Sequence, residues 1–389
     1  MQRFLVAFAL VLAVPVAAQM DGAFTLRQSS RDGRLNLNIQ FSDGDGRSNY
    51  GRSFERSAFS DVKESGDRIT FALRRAPGVF TFEGRGSLER AAGFYQFTPN
   101  RDFERELGRI GFRGVDDKAL FVFALDDLTV DKVKQLQGLL ADRIDTEGLV
   151  RLINHGAGLA YVQSMTDAGF RKLSADEYRR ARDHGVTADY AREMATIGGK
   201  LPLDDLVRTR DHGVTTDYAK AMRDAGYDLG IEDLVRARDH GVTTDYVKAM
   251  RDAGFKLSIE ELIRGRDHGV TADYVKGMRD AGHKVSIEDL IRARDHGVTA
   301  DYLTRMGSLG HGGLPLDDYV RMRDHGVTPD YVESIRDAGL SKVTPRELVR
   351  LRDHGISASY VKRAREVFKE TPTVDQIIRL RTRGDIGGL

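Results

Sequence analysis

Two hydrophobic periods divide the chain. Over residues 22 to 97, apolar and polar positions alternate with period two, most clearly in AFTL, RLNLNIQF, RITFALR, VFTFEG and GFYQFT. Leu35, Leu37, Ile39 and Phe41 share one face of the second run, and the turn signals SRDG, DGDGRS, RRAPG and ERAAG separate the runs. Alternation of this kind places one face of a sheet on a core and leaves the other wet. It predicts about five antiparallel strands in a curled sheet or half-open barrel. The region has no histidine and no convergent acid pair.

From Thr98 onward the period is helical and the sequence repeats. His155, His184, His212, His240, His268, His296, His325 and His354 are 29, 28, 28, 28, 28, 29 and 29 residues apart. Tyr161, Tyr190, Tyr218, Tyr246, Tyr274, Tyr302, Tyr331 and Tyr360 recur with them. In the unit SIEELIRGRDHGVTADYVKGMRDAG, Ser258 and Glu261 form a capping box ahead of an apolar stripe of Ile259, Leu262 and Ile263. Gly269 stands where a left-handed C-terminal cap is wanted, Thr271 caps a second helix, and Gly282 ends it. Two helices this short are not stable alone, so stacking must supply the stability. The predicted fold class is α+β multidomain: a small antiparallel β domain followed by an α-solenoid of about 28-residue helical hairpins.

Weaker copies extend the array. TVDKVKQL at Thr129 and TPNRDFERELGRIGF at Thr98 resemble second helices, and DQIIRLRTRGD resembles a first helix with Thr382-Arg383-Gly384 in place of Asp-His-Gly. The predicted domains are a signal peptide at 1–18, the β domain at 19–97 and the repeat array at 98–389. Core repeats span about 146–370, with degenerate caps at both ends and about nine to ten hairpins in all.

Charge and composition narrow the function. Lys+Arg (60) and Asp+Glu (59) nearly cancel, so nothing favours nucleic acid or an anionic membrane surface as partner. The first eighteen residues carry Arg3, the apolar run FLVAFALVLAV and the small-residue site Val16-Ala17-Ala18, a secretory signal. The expected location is the periplasm or the extracellular space, with no stable membrane insertion after signal removal. There is no cysteine, which removes disulfides, thiolate metal sites and thiol catalysis.

The recurrent RDHGVT is the one stretch that looks like chemistry. Read as a metal device, its candidates are His184, His212, His240, His268, His296, His325 and His354. Successive units of a solenoid lie roughly 10 Å apart, however, while zinc needs its ligands within about 2.0–2.3 Å. The structural reading places the histidine in the last turn of the first helix, bonding free carbonyls and favoured by the dipole. No HExxH, GxSxG or phosphate loop is present, and no catalytic residue or cofactor is assigned.

The aspartates of RDH (Asp183, Asp211, Asp239) and of RDAG (Asp224, Asp252, Asp280, Asp337) sit at helix C-termini, where the dipole disfavours them. Arginines recur at Arg208, Arg236, Arg264, Arg292, Arg321 and Arg350, and again two residues on. We expect Arg–Asp ladders between adjacent units, and these six arginines are the candidate partner-binding row. The tyrosine is expected at the core edge with its hydroxyl at the rim. Six methionines four residues later pack on the same face. Small residues before the second arginine (Ala181, Thr209, Ala237, Gly265, Ala293) predict close helix approach, which Met322 and Leu351 alter.

The unit LxRxRDHGVTxDYVxxMRDAGxxLSxEDL resembles the helical repeats of exported bacterial proteins and of the extracytoplasmic tails of BlaR-like (M56-family) membrane metallopeptidases. The segment FTFEGRGSLERAAGFYQFTPNRDFERELGRIGF resembles the β-rich module that precedes such repeats. The peptidase motif is absent, so the resemblance implies an accessory or sensory module without catalytic residues. The expected function is non-enzymatic: a protein-binding or scaffolding module whose partner is another envelope protein or peptide. A membrane sensor or metallopeptidase is the partner the resemblance implies. The alternative is a sensor or binder of a small ligand or metal ion, through the repeat histidines or the β domain. Residues between helices (Tyr227-Asp228, Phe255-Lys256, His283-Lys284, and GSLGHGGLP around His311) would tune specificity on one edge.

Overall fold

The structure is a computed structural model that describes residues 20–43, 46–284, 286–368 and 370–383. The expected signal peptide lies outside the described residues. Seven antiparallel strands come first: β1 (Met20–Gln28), β2 (Leu35–Asp43), β3 (Gly46–Phe54), β4 (Phe59–Ser65), β5 (Arg68–Arg75), β6 (Gly78–Ser87) and β7 (Arg90–Pro99). Their order is β3-β2-β1-β7-β6-β5-β4, so the two edge strands are consecutive in the chain. Laid flat, six strand gaps would span about 29 Å. The five Cα steps from Phe54 to Phe59 reach at most about 18 Å. The sheet therefore has to curl, and the rings of Phe54 and Phe59 meet at 5.6 Å where its edges approach.

The five runs read from the sequence are β1, β2, β5, β6 and β7; the two missed strands are the edges. Alternation is weak there because an edge need not bury one face. β3 reads GRSNYGRSF, and β4 leaves Val62 exposed. β4 also carries a bulge between Ser60 and Lys63, which guards a free edge against further pairing. Asp61 in that bulge adopts φ +55°, and Arg74 grips its carboxylate at 2.7 Å, holding it below the usual carboxylate range.

The inside of the curl is aromatic. Phe71 and Phe82 stack at 4.5 Å, and Phe24 meets each of them edge-on. The plug is α2 (Asp117–Leu125), buried at every position from Ala119 to Leu125. Its Phe121 lies 5.0 Å from Phe80, 5.5 Å from Phe97 and Tyr50, and 5.8–5.9 Å from Phe41 and Tyr95. A helix apolar all round must be buried on all sides, and the curled sheet provides the sleeve. The chain thus does not part cleanly at residue 97. It forms two compact units, 1–207 and 208–389, the first joining sheet and leading helices.

The helices are α1 (Arg101–Arg109), α2, α3 (Val130–Leu139), α4 (Thr146–Asn154), α5 (Leu159–Asp167), α6 (Ala175–Asp183), α7 (Ala188–Gly198) and α8 (Leu203–Asp211). Beyond them come α9 (Thr216–Asp224), α10 (Ile231–Asp239), α11 (Thr244–Asp252), α12 (Ile259–Asp267), α13 (Ala272–Asp280) and α14 (Ile287–Asp295). The last are α15 (Ala300–Met306), α16 (Leu316–Asp324), α17 (Pro329–Asp337), α18 (Pro345–Asp353), α19 (Ala358–Phe368) and α20 (Val374–Arg383). The α1 helix starts later than the Thr98 alignment suggested. Thr98 and Pro99 finish β7, and the side chain of Asn100 is the cap.

Within each compact unit like packs on like: α4 on α6 and α5 on α7 in the first, α10 on α12 and α11 on α13 in the second. This is the two-layer solenoid the period predicts. Capping follows the sequence reading. Ser258–Glu261 and Thr344–Glu347 close capping boxes, Thr271 accepts from the Tyr274 amide, and Pro329 occupies the first turn of α17. Gly269 and Gly282 take φ +69° and +92° at the helix ends, a conformation glycine adopts without a side-chain penalty. The long connection around His311 is a single π-helical turn over Gly307–His311. Among the described residues no helix is long and apolar enough to cross a membrane.

Candidate functional site

The recurrent polar residues meet at the joints between successive hairpins, and each joint has three parts. The first is the histidine. His212, His240, His268, His296 and His325 each place Nδ1 against a carboxylate of the next hairpin, Asp239, Asp267, Asp295, Asp324 and Asp353, at 2.5–2.9 Å. His155 does the same with Asp183 at 2.7 Å. The histidine is the C-terminal cap residue of its helix, as in α6 with His184. Its ring serves the neighbour's aspartate instead of the free carbonyls of its own helix, which corrects the sequence reading. The same bond explains an aspartate at the wrong end of a helix dipole: a facing imidazole hydrogen-bonds it.

The second part is the arginine row. Arg236 reaches Glu260 at 2.8 Å, Arg264 reaches Glu288 at 2.9 Å and Arg350 reaches Asp375 at 2.6 Å. Arg208 with Glu232, Arg292 with Asp317, and Arg180 with Asp204 make equivalent pairs. The ladder therefore exists, with different acids from those expected. Its carboxylates lie in the first turn of the next first helix, where the dipole favours them. Arg321 is the exception. The next hairpin has Arg346 at the acidic position, and among the described residues Arg321 has no ion-pair partner. Five of the six arginines proposed for partner binding are thus engaged inside the array, each still partly exposed.

The third part was missed from sequence. The second arginine of each unit lies over the tyrosine of the hairpin before it. Arg238, Arg266, Arg294, Arg323 and Arg352 stack on Tyr218, Tyr246, Tyr274, Tyr302 and Tyr331 at 4.8–5.2 Å. Arg182 over Tyr161 at 5.4 Å repeats this in the first compact unit. Such a contact contributes about 0.5–2 kcal/mol depending on desolvation. Arg238 also donates from Nε to the Gly213 carbonyl at 3.0 Å, satisfying an orphan carbonyl at the helix end. The signal available was co-occurrence, since every unit with the tyrosine is followed by one with the arginine.

The tyrosine hydroxyl is buried, not at the rim. Tyr161, Tyr218, Tyr274, Tyr302 and Tyr331 donate to the carbonyls of Val186, Val242, Val298, Val327 and Ile356 in the next hairpin at 2.8–3.0 Å. The bond survives beside Met322 and Leu351, the two large residues at the small position, both fully buried. Tyr246 breaks the series: among the described residues its buried hydroxyl has no hydrogen-bond partner. The cause is next to it. Gly265 stands where the hairpins on either side have Ala237 and Ala293, and the hydroxyl lies 2.8 Å from where a Cβ would be. Gly265→Ala should push the ring tip onto the Val270 carbonyl, as beside Ala237 and Ala293. Helix propensity and the restored bond together predict about 1–2 kcal/mol of stabilisation. Urea unfolding checks this, and a loss of stability would refute it.

The ends of the array confirm that these are joint residues. Asn154 and Ile153 replace the Asp and second Arg in the first histidine-bearing hairpin. At the far end α20 has Thr382 and Arg383 at the Asp and His positions, while Arg381 still covers Tyr360 at 5.3 Å. At the position matching the aspartate partner of the other histidines, the helix after His354 has Thr382.

A histidine held by a carboxylate supplies two of the three members of a hydrolytic triad. The recurring hydroxyl of the unit, the threonine of RDHGVT, caps the second helix: Thr215 and Thr243 accept from the amides of Tyr218 and Tyr246. Among the described residues no three His, Asp or Glu side chains form a group able to hold a metal ion. The candidates His184, His212, His240, His268, His296, His325 and His354 are spread one to a hairpin. No protein-family model, curated protein or solved structure matches this chain.

Proposed function

We propose that this chain is a non-enzymatic protein-binding or scaffolding module of the cell envelope. The observation that carries the reading is the division of labour within each unit. The residues that repeat are used in caps, core and joints, whereas the connections after the second helices vary from unit to unit. A repeat array with recurrent joints and variable connections suits recognition of another protein. Export rests on the N-terminal signal pattern. The resemblance to repeat tails of membrane metallopeptidases makes a membrane sensor or such a peptidase the first partner to seek.

In-cell cross-linking of residues 19 to 389, followed by mass spectrometry, tests the reading. The control changes the connections at Phe255 and Lys256. Reversing Arg236, Arg264 and Arg292 would damage the joints themselves. One stoichiometric envelope protein, lost in the control, is the expected result. The absence of any reproducible partner would overturn it.

One observation favours binding of a small ligand by the β domain. A groove of about 480 Å³ on the sheet is lined by Thr70, Thr81, Phe94 and Gln96, with the Asp61–Arg74 pair at its side. Phe94 is 74% exposed, which is unusual for a phenylalanine on a wet sheet face.

A further inference from the structure

The second compact unit offers a slot between two of its variable connections. A cavity of about 530 Å³ opens between the end of α9 and the connection from α11 to α12. Tyr227, Arg251, Phe255 and Lys256 supply its large side chains, and Gly226 and Gly254 also line it. Tyr227 is a fixed wall. Its hydroxyl donates to the Leu257 carbonyl at 2.8 Å and Arg251 lies over its ring at 5.8 Å. The arrangement continues one hairpin on, where Arg279 covers Phe255 at 5.3 Å and Lys284 follows His283.

Three features of this slot point to one kind of occupant. Its lining holds two cations and no carboxylate, in a chain whose charges otherwise balance. Lys256 is exposed and among the described residues has no ion-pair partner. Its aromatic walls are half-buried, giving apolar surface beside the cations. Sister units vary at the positions of Tyr227, Phe255 and Lys256, whereas Arg251 recurs as Arg223, Arg279 and Arg336. A pattern that steps from one hairpin to the next suits an extended chain better than a compact ligand. Two cations per slot are too few to track a nucleic-acid backbone.

We propose that this edge binds an extended acidic polypeptide segment, with carboxylates on Arg251 and Lys256 and an apolar side chain between Tyr227 and Phe255. The proposal deepens the scaffold reading and rests on it.

The test is fluorescence anisotropy of residues 19 to 389 with a labelled twelve-residue peptide of Glu-Leu-Glu-Gly repeats, beside its Lys-Leu-Lys-Gly counterpart. Lys256→Glu and Phe255→Ala probe the slot. Lys63→Glu, on β4 of the sheet, makes the same change in net charge outside the slot's lining. Circular dichroism checks that each variant folds. The expected result is binding of the acidic peptide alone, weakened at least tenfold by Lys256→Glu and several-fold by Phe255→Ala, with Lys63→Glu within twofold of wild type. Equal loss from Lys256→Glu and Lys63→Glu, equal binding of both peptides, or no binding would overturn the slot. An envelope partner still captured by Lys256→Glu would remove the slot and leave the scaffold standing.

Discussion

Phe121→Ala is expected to destabilise the first compact unit by about 3–5 kcal/mol, the range for emptying a large aromatic site in a packed core. The ring touches Phe41, Tyr50, Phe80, Tyr95 and Phe97, so one truncation removes partners from β2, β3, β6 and β7 together. The neighbouring rings cannot collapse into the gap, because Phe80 is itself packed against Phe82 and Phe97. Near-ultraviolet dichroism of the aromatic cluster should flatten before helical signal from residues beyond 207 is lost. Retention of full stability would mean that α2 rests on the sheet without plugging it.

Alkaline pH is expected to unfold the array. Burial pushes the phenols of Tyr218, Tyr246, Tyr274, Tyr302 and Tyr331 from the ordinary value of 10.0 up to about 12, with the stacked arginines opposing part of the rise. All five side chains sit in residues at most 8% exposed, so solvent does little to relieve the cost of ionising them. The folded form holds the proton more tightly than the unfolded chain. Stability is therefore complete below pH 10 and falls as pH rises toward 12, where only the unfolded chain releases its protons freely. The loss is about 2–3 kcal/mol per tyrosine. Several such losses rival the whole stability of an ordinary domain, about 5–15 kcal/mol. Phenolate absorbance and far-ultraviolet dichroism, followed together, should change in one steep step. Tyrosines that ionise near pH 10 while the helices persist would contradict the buried hydroxyls.

Much of the fold was legible because its signals are local. A capping threonine, a terminating glycine and an apolar stripe act within one turn of helix, and the repeat of eight histidines fixed the hairpin length. The strands with a buried face were legible for the same reason, and the polar edges β3 and β4 were not. The joints lay beyond sequence reasoning because they depend on which turn of one hairpin faces which turn of the next. His268 and Asp295 are 27 residues apart, and Arg264 and Glu288 are 24 apart. For the arginines, spacing alone does not choose between first-turn acids such as Glu288 and the aspartates of RDH and RDAG. The plug α2 could have been noticed: KALFVFAL is apolar all round, unlike every amphipathic helix after it.

The central claim is that the recurrent polar residues are bonds from one hairpin to the next. The most direct test removes one oxygen atom in two units that share the sequence TxDYV. Tyr274→Phe and Tyr246→Phe would each be compared with wild type by urea unfolding. Tyr274 loses a bond to Val298 and leaves a buried carbonyl bare, so the expected cost is about 1–3 kcal/mol. Tyr246 has no hydrogen-bond partner among the described residues, and its variant should be neutral or slightly more stable. Equal costs in the two units, or none in either, would contradict the claim.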